Sequence, residues 1–171
     1  MRTSNGDLTW RLSTRADPRA LALADRHYNR QKIGSPQFVP PGRCLVLLTP
    51  NADALWVTSW PFAEHVQHAW AGAFVCSLFR NESSYLSSML IMEAVEATVA
   101  HFGVVPEEGF ISFIDRDKTR RKRDPGRCYH KAGWKTVGET KGGLVAVALD
   151  HFPRAPRIAE PYCPLFDLML G

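Results

Sequence analysis

The sequence predicts a single-domain mixed α/β (α+β) fold, a central sheet flanked by helices. Between Leu8 and Leu149, runs of strand character alternate with runs of helical period, the pattern of a sheet with helices packed on its faces. At 171 residues, 45% hydrophobic and 22% charged, the chain is long enough to bury one sizeable core and ordinary in composition for a globular domain. It contains no internal repeat and no linker long enough to split it, so residues 1–150 are expected to form the domain and 151–171 a Pro-rich tail.

Leu8–Ser13 alternates loosely, with Leu8, Trp10 and Leu12 on one side, and fits a first strand. Asp17-Pro18 supplies an N-cap and a proline at the first helical position. The helix that follows runs to about Tyr28, with Leu21, Ala24, Asp25 and Tyr28 on one face and His27 at its end. A histidine there is either a cap, a surface residue or a ligand. Arg30–Arg43 holds three prolines and two glycines, which exclude regular structure. Gln37-Phe38 sits extended within it, in a binding loop or a stiff connector.

Cys44–Leu48 and Ala54–Ser59 are apolar runs joined by a turn sequence, a hairpin that Trp60-Pro61 breaks. Phe62–Ala69 reads as a short helix whose His65 and His68, three residues apart, are read as a solvent-facing pair rather than as ligands of a shared metal. Trp70–Phe79 has so little polarity that a central strand covered on both faces is expected. Ser83 or Ser84 then caps a helix from Tyr85 to about His101. Its apolar stripe includes Leu86, Met89, Met92, Val95 and Val99, the methionines filling gaps in the core, and Gly103 ends it. Phe110–Ile114 is the next strand and ends on Asp115. After a basic loop closed by Asp124-Pro125-Gly126 come a short helix, Cys128–Ala132, and a hairpin of Trp134–Thr140 and Leu144–Leu149. The tail packs Phe166, Leu168 and Leu170 loosely on the body, or docks a partner.

No apolar run approaches the roughly 18 residues of a membrane span, and the N-terminal residues lack a signal peptide's apolar centre. The expectation is a cytoplasmic protein without a membrane partner. Cys44, Cys76, Cys128 and Cys163 form no CxxC pair, which argues against a zinc knuckle. Cys44 and Cys76 are expected as buried, reduced thiols. The net charge of +4 is concentrated: Arg116–Arg127 carries seven basic residues against two acids, and the remainder of the chain is close to neutral. Such a segment is either a solvated loop or a grip on phosphate, in a cofactor or in nucleic acid. Lys118, Arg120, Arg121, Lys122, Arg123 and Arg127 are its candidate DNA contacts.

The closing run Tyr129-His130-Lys131-Ala132-Gly133-Trp134-Lys135-Thr136-Val137-Gly138 resembles the end of the Gcn5-related N-acetyltransferase (GNAT) superfamily. There a short helix ending in Lys-Ala-Gly-Phe precedes a strand carrying Val-Gly. The resemblance extends over residues 8–149 in element order and implies a GNAT-like fold. Members carry a glycine-rich pyrophosphate cradle after the central strand, which lets backbone amides approach phosphate. This chain has Arg80-Asn81-Glu82-Ser83-Ser84 instead, without glycine, so acetyl-CoA is expected only if Glu82 points away from the phosphates.

Within that superfamily the chain resembles the phage Mom proteins, which add an acetamido-type group to adenine in DNA and so protect it from restriction. His27-Tyr28-Asn29 matches their His-Tyr-Ser, Asp115 their strand-end aspartate, Tyr129-His130-Lys131-Ala132 their Tyr-x-Lys-Ala, and Asn81-Glu82-Ser83 their polar turn. The resemblance implies iron held by His27, Tyr28 and Asp115, a nitrogen and oxygen set suited to that metal. It also implies Tyr129, Asp115 and Ser83 as catalytic residues and Arg80, Asn81 and Ser84 as cofactor contacts. Two alternatives stand beside a DNA-modifying transferase: an acetyl-CoA-dependent N-acetyltransferase acting on a small amine or a protein, and a non-catalytic nucleic-acid-binding module. Oligomeric state, a dimer included, is left open by the sequence.

Overall fold

The computed structural model describes residues 7–27, 30, 32–62, 64, 66, 69–118 and 126–162. Eight strands form one mixed sheet and three helices pack on it. The elements are β1 (Arg11–Leu12), α1 (Pro18–Asp25), β2 (Arg43–Leu48), β3 (Ala54–Trp60), β4 (Phe74–Asn81), α2 (Ser87–Phe102), β5 (Phe110–Ile114), α3 (Arg127–Lys131), β6 (Lys135–Glu139), β7 (Val145–Leu149) and β8 (Glu160–Pro161). The sheet order is β6-β7-β5-β4-β3-β2-β1-β8. Neighbours run antiparallel except β4 with β5 and β1 with β8, which are parallel. No helix among the described residues is long and apolar enough to cross a membrane.

Each face of the sheet has its own cover. On one face α2 contributes Leu90, Ile91, Ala94 and Val95 to a core shared with Trp10, Trp56, Phe74, Phe110 and Val147. On the other face α1 contributes Ala20, Leu23 and Ala24, packed on Val46, Leu48, Leu55, Val57 and Leu78. Polar groups buried between sheet and α2 include a paired set: Thr58 Oγ1 lies 2.9 Å from Thr98 Oγ1 of α2 and accepts from Trp56 Nε1 at 2.7 Å.

Several boundaries differ from expectation for local reasons. Leu8 and Trp10 are buried as the strand pattern requires, yet only Arg11 and Leu12 join the ladder. Upstream, Thr9 N donates to Glu93 Oε1 of α2 at 3.0 Å in place of a ladder bond, and the Trp10 indole Nε1 donates to Leu90 O at 2.8 Å. Asp17 caps α1 through Arg19 N as expected. The helix stops at Asp25, because Arg26 N and His27 N already bond three residues back and the Asp25 carboxylate accepts from Arg30 and Gly34. Its buried face is Ala20, Leu23 and Ala24; Leu21 is half-buried.

β4 is central as expected but starts at Phe74, after a turn at Trp70–Ala73, and runs on to Asn81. Val75 and Ser77 are half-buried, so its two faces are not equally covered. α2 begins at Ser87, with Leu86 as an N-cap that makes no side-chain bond. Ser83 Oγ instead accepts from Tyr85 N, and Asn81 holds the turn. Leu86 and Met92 face outward, 73% and 58% exposed, so they do not belong to the buried stripe and Met92 fills no core gap. Gly103 ends α2 in the left-handed conformation as expected. Cys44 is half-buried where full burial was expected.

Residues 151–162 of the tail are tied to the body. Arg157 Nε and Nη2 donate to the Glu96 carboxylate at 2.6 and 3.0 Å, Ala159 is buried, and Tyr162 N donates to Leu12 O at 3.0 Å as β8 joins β1. Arg19 stacks on Tyr162 at 3.3 Å. His65, His68, Cys163, Phe166, Leu168 and Leu170 lie outside the described residues.

Candidate active site

The cleft of this molecule is made by two parallel strands that part company. β4 and β5 pair at Phe74–Phe110, Val75–Ile111 and Cys76–Ser112, and no further pair follows. Val57 of β3 opposes Leu78 while Thr58 opposes Cys76, so Ser77 is one residue too many on β4. Such a bulge bends its strand and turns the side chains beyond it to the other face. Phe74 and Cys76 accordingly join the core under α2, and Leu78 the core under α1. Past the bulge the facing edges of β4 and β5 enclose a cleft of about 150 Å³.

Tyr129 of α3 reaches into this cleft from beneath and is 8% exposed. Its ring packs edge-on against Trp134 and Phe79, with centroids 5.1 and 6.4 Å away. The hydroxyl stands 3.5 Å from Cys76 Sγ and 3.5 Å from Ser112 Oγ. The contact to oxygen is long, well beyond the usual O–H···O range, and Ser112 Oγ also donates to Cys76 O at 3.1 Å. Burial, with the Cys76 thiol beside it, raises the Tyr129 pKa well above 10. Burial likewise pushes the Cys76 thiol up to about 12. At neutral pH the pair is therefore a phenol that can donate a hydrogen bond and a thiol that is no nucleophile.

Gly126 lets α3 sit this close. It adopts φ +87°, and a Cβ there would lie 2.6 Å from Ile114 Cδ1. His27, just past α1, Asn81 at the end of β4 and Ser87 at the start of α2 also line the cleft. All of the Asn81 amide is engaged: Oδ1 accepts from Ser83 N and Ser83 Oγ, and Nδ2 donates to Tyr85 O at 2.8 Å and Ser87 Oγ at 2.9 Å.

Other expected site residues fall outside the cleft. Glu82 does point away from it, clasped by Arg26 at 2.7 and 2.9 Å and by Arg80 at 2.7 Å. Hydrogen bonds from Arg26 and then Arg80 hold its carboxyl down at about 2. Arg80 also donates to Arg26 O at 2.9 Å, so its guanidinium braces the turn. Ser83 serves the same turn and Ser84 is exposed. Asp115 follows Ile114, a cleft residue, but its Oδ1 accepts from Asp117 N at 3.0 Å and Lys118 N at 3.2 Å, as a turn cap. Among the described residues no three His, Cys, Asp or Glu side chains group to hold a metal. Tyr28 lies outside those residues, and the described ones do not by themselves form the donor set that iron asks for.

Of the cationic segment, Lys118 and Arg127 are exposed and Arg116 pairs with Glu139 at 3.2 Å, while Arg120, Arg121, Lys122 and Arg123 lie outside the described residues. Its far end borders the cleft, since Gly126 and Cys128 line it. The structure thus brings His27, Asn81 and Tyr129 to one cavity and leaves Arg80, Ser83, Ser84 and Asp115 off it. Cys76, Ser112, Ser87 and Cys128 also line the cavity and were not among the expected site residues. Ser112, the single polar residue of the strand Phe110–Ile114, was the one available signal for them. No family model, curated protein or solved structure matches this chain.

Proposed function

We propose that this chain is a Mom-like DNA-modifying transferase of GNAT-like fold that adds an acetamido-type group to adenine. The observation that carries the reading is a buried, neutral Tyr129 hydroxyl in the cleft between β4 and β5, which His27 also lines. Transfer to the exocyclic amine of adenine needs two proton movements. The N6 nitrogen attacks the donor carbon and gives up a proton, and the leaving group departs and takes one. His27 is the cleft group suited to the first and the Tyr129 hydroxyl to the second. The element order supports the fold assignment: central strand, polar turn, long helix, strand, short helix ending at Ala132-Gly133-Trp134, then hairpin.

A cleft of about 150 Å³ admits a group of roughly the size of benzene. The target base must therefore leave its stack to be reached. The cationic segment that ends at Arg127 beside the cleft supplies phosphate contacts for the flanking strand. Expression in bacteria followed by nucleoside mass spectrometry of the host DNA tests the reading. A heavier deoxyadenosine species is expected, and unmodified DNA from cells that make soluble protein counts against it.

One observation favours acetyl-CoA transfer as a second reading. The first turn of α2 has no side-chain cap, and Ser87 lines the cleft, so backbone amides there suit an anion. The glycine-free turn and the engagement of Arg80 with Glu82 weigh against it. Calorimetry with acetyl-CoA separates the two, micromolar binding favouring the second.

A further inference from the structure

A second cavity, a groove of about 530 Å³, lies on the Pro-rich loop between Arg30 and Pro41 and reaches Ser77 and Leu78 of β4. Both of those residues also line the 150 Å³ cleft, so the bulge forms part of the wall of each space. Size divides their roles. The cleft holds one reacting group, whereas the groove is within the ~300–1,000 Å³ range of sites that bury a whole small ligand. Any acceptor larger than a ring must therefore extend out of the cleft.

The groove is built rather than incidental. Arg30 Nε donates to Asp25 Oδ1 at 2.8 Å, its Nη1 to Gln37 O at 2.6 Å and its Nη2 to Ser35 O. Asp25 also accepts from Gly34 N at 3.1 Å. Phe38, 8% exposed, anchors the loop in the core under α1. A loop without helix or strand is thus fixed at both carbonyls flanking Pro36, and the neighbouring side chain of Gln37 stays exposed on the groove. Lys32 is exposed there as well, and its ammonium makes no ion pair among the described residues.

We propose that this groove receives the nucleotide flanking the reacting one, with the Gln37 amide reading an adenine edge and Lys32 holding an adjacent phosphate. The inference rests on the transferase reading above and adds the surface that selects the sequence context of the modified base. A glutamine amide offers a donor and an acceptor side by side, the pair that matches adenine N7 and N6. A lysine ammonium binds phosphate without regard to sequence. Arg30 acts as a positioning residue, through the loop and not through the ligand.

The test uses the full-length protein and fluorescently labelled single-stranded oligonucleotides, with a central adenine or a central thymine, read by anisotropy across a salt series. Wild type should prefer adenine. Gln37→Ala should erase that preference, a change of roughly tenfold to a hundredfold, with an unaltered thermal melt because the side chain is exposed. Lys32→Ala should weaken both oligonucleotides alike and reduce the salt slope by about one. Lys141→Ala, in the β6–β7 turn, should change neither. An adenine preference that persists in Gln37→Ala overturns the inference, as does a wild type that binds neither oligonucleotide. Base-selective binding through Gln37 in a protein that leaves host DNA unmodified would instead sink the transferase reading and leave this groove assigned.

Discussion

At the scale of single residues, the proposed chemistry depends on keeping protons in place. Tyr129 and Cys76 sit together out of water, and burial holds both in their neutral forms. A neutral phenol can turn its O–H toward a departing group, which a phenolate cannot do. Tyr129→Phe keeps the ring contacts with Trp134 and Phe79 and removes only the hydroxyl. Turnover should fall by about 10²–10⁴-fold, the usual span for a lost general acid, with a thermal melt within a few degrees of wild type. Cys76→Ala tests the complementary statement. Its thiol, with a pKa near 12, is no nucleophile, so the variant should retain activity within about an order of magnitude. Thiol-directed reagents should label Cys76 in the native protein far more slowly than in the unfolded chain.

At the scale of elements, the site depends on a bulge, a tight approach and a clasp. Gly126 provides the approach. A side chain at φ +87° is strained, and its Cβ would press on Ile114. Gly126→Ala should cost about 1–3 kcal/mol and, by moving α3, should lower activity further than that loss of stability explains. Glu82 provides the clasp between the end of α1 and the turn after β4. Its folded carboxyl is depressed to about 2 from an ordinary 4.5. Its contribution is therefore complete above about pH 4.5 and lost as pH falls toward 2. The pairs are partly exposed, and Glu82→Gln should cost about 1 kcal/mol or less near neutrality. Melting curves of the two proteins should converge on acidification, and a constant gap down to about pH 2 would contradict this account of the clasp.

At the scale of the whole molecule, much of the architecture was legible and the site less so. Strand β5 matches its predicted bounds, Phe110–Ile114, and α1 begins on the Asp17 cap, because buried strands and capped helices are written in local residue types. The bulge was not legible. Phe74 to Phe79 is apolar enough to fit either register, and Ser77 becomes the extra residue only once β3 and β5 compete for the strand. The polar turn misled for a related reason: Asn81 outcompetes Ser83 and Ser84 as the organiser of the chain before α2, a choice settled by three-dimensional neighbours. His27 and Tyr129 share a cleft, while Asp115, equally prominent in the sequence, is taken up by its own turn. The tail hid a strand because two residues, Glu160 and Pro161, carry no periodicity. Its anchor is testable: Arg157→Ala leaves the Glu96 carboxylate without those bonds and should lower stability by roughly 1.5–3 kcal/mol, read from denaturant unfolding.

The central claim is that Tyr129, at the parting of β4 and β5, delivers the proton in a group transfer to adenine. The most direct measurement compares host DNA from cells producing wild type and Tyr129→Phe at matched soluble levels, by the ratio of modified to ordinary deoxyadenosine. The account predicts a modified species with wild type and a level at least about a hundredfold lower with the variant. Equal levels in the two, or none with wild type, would contradict it.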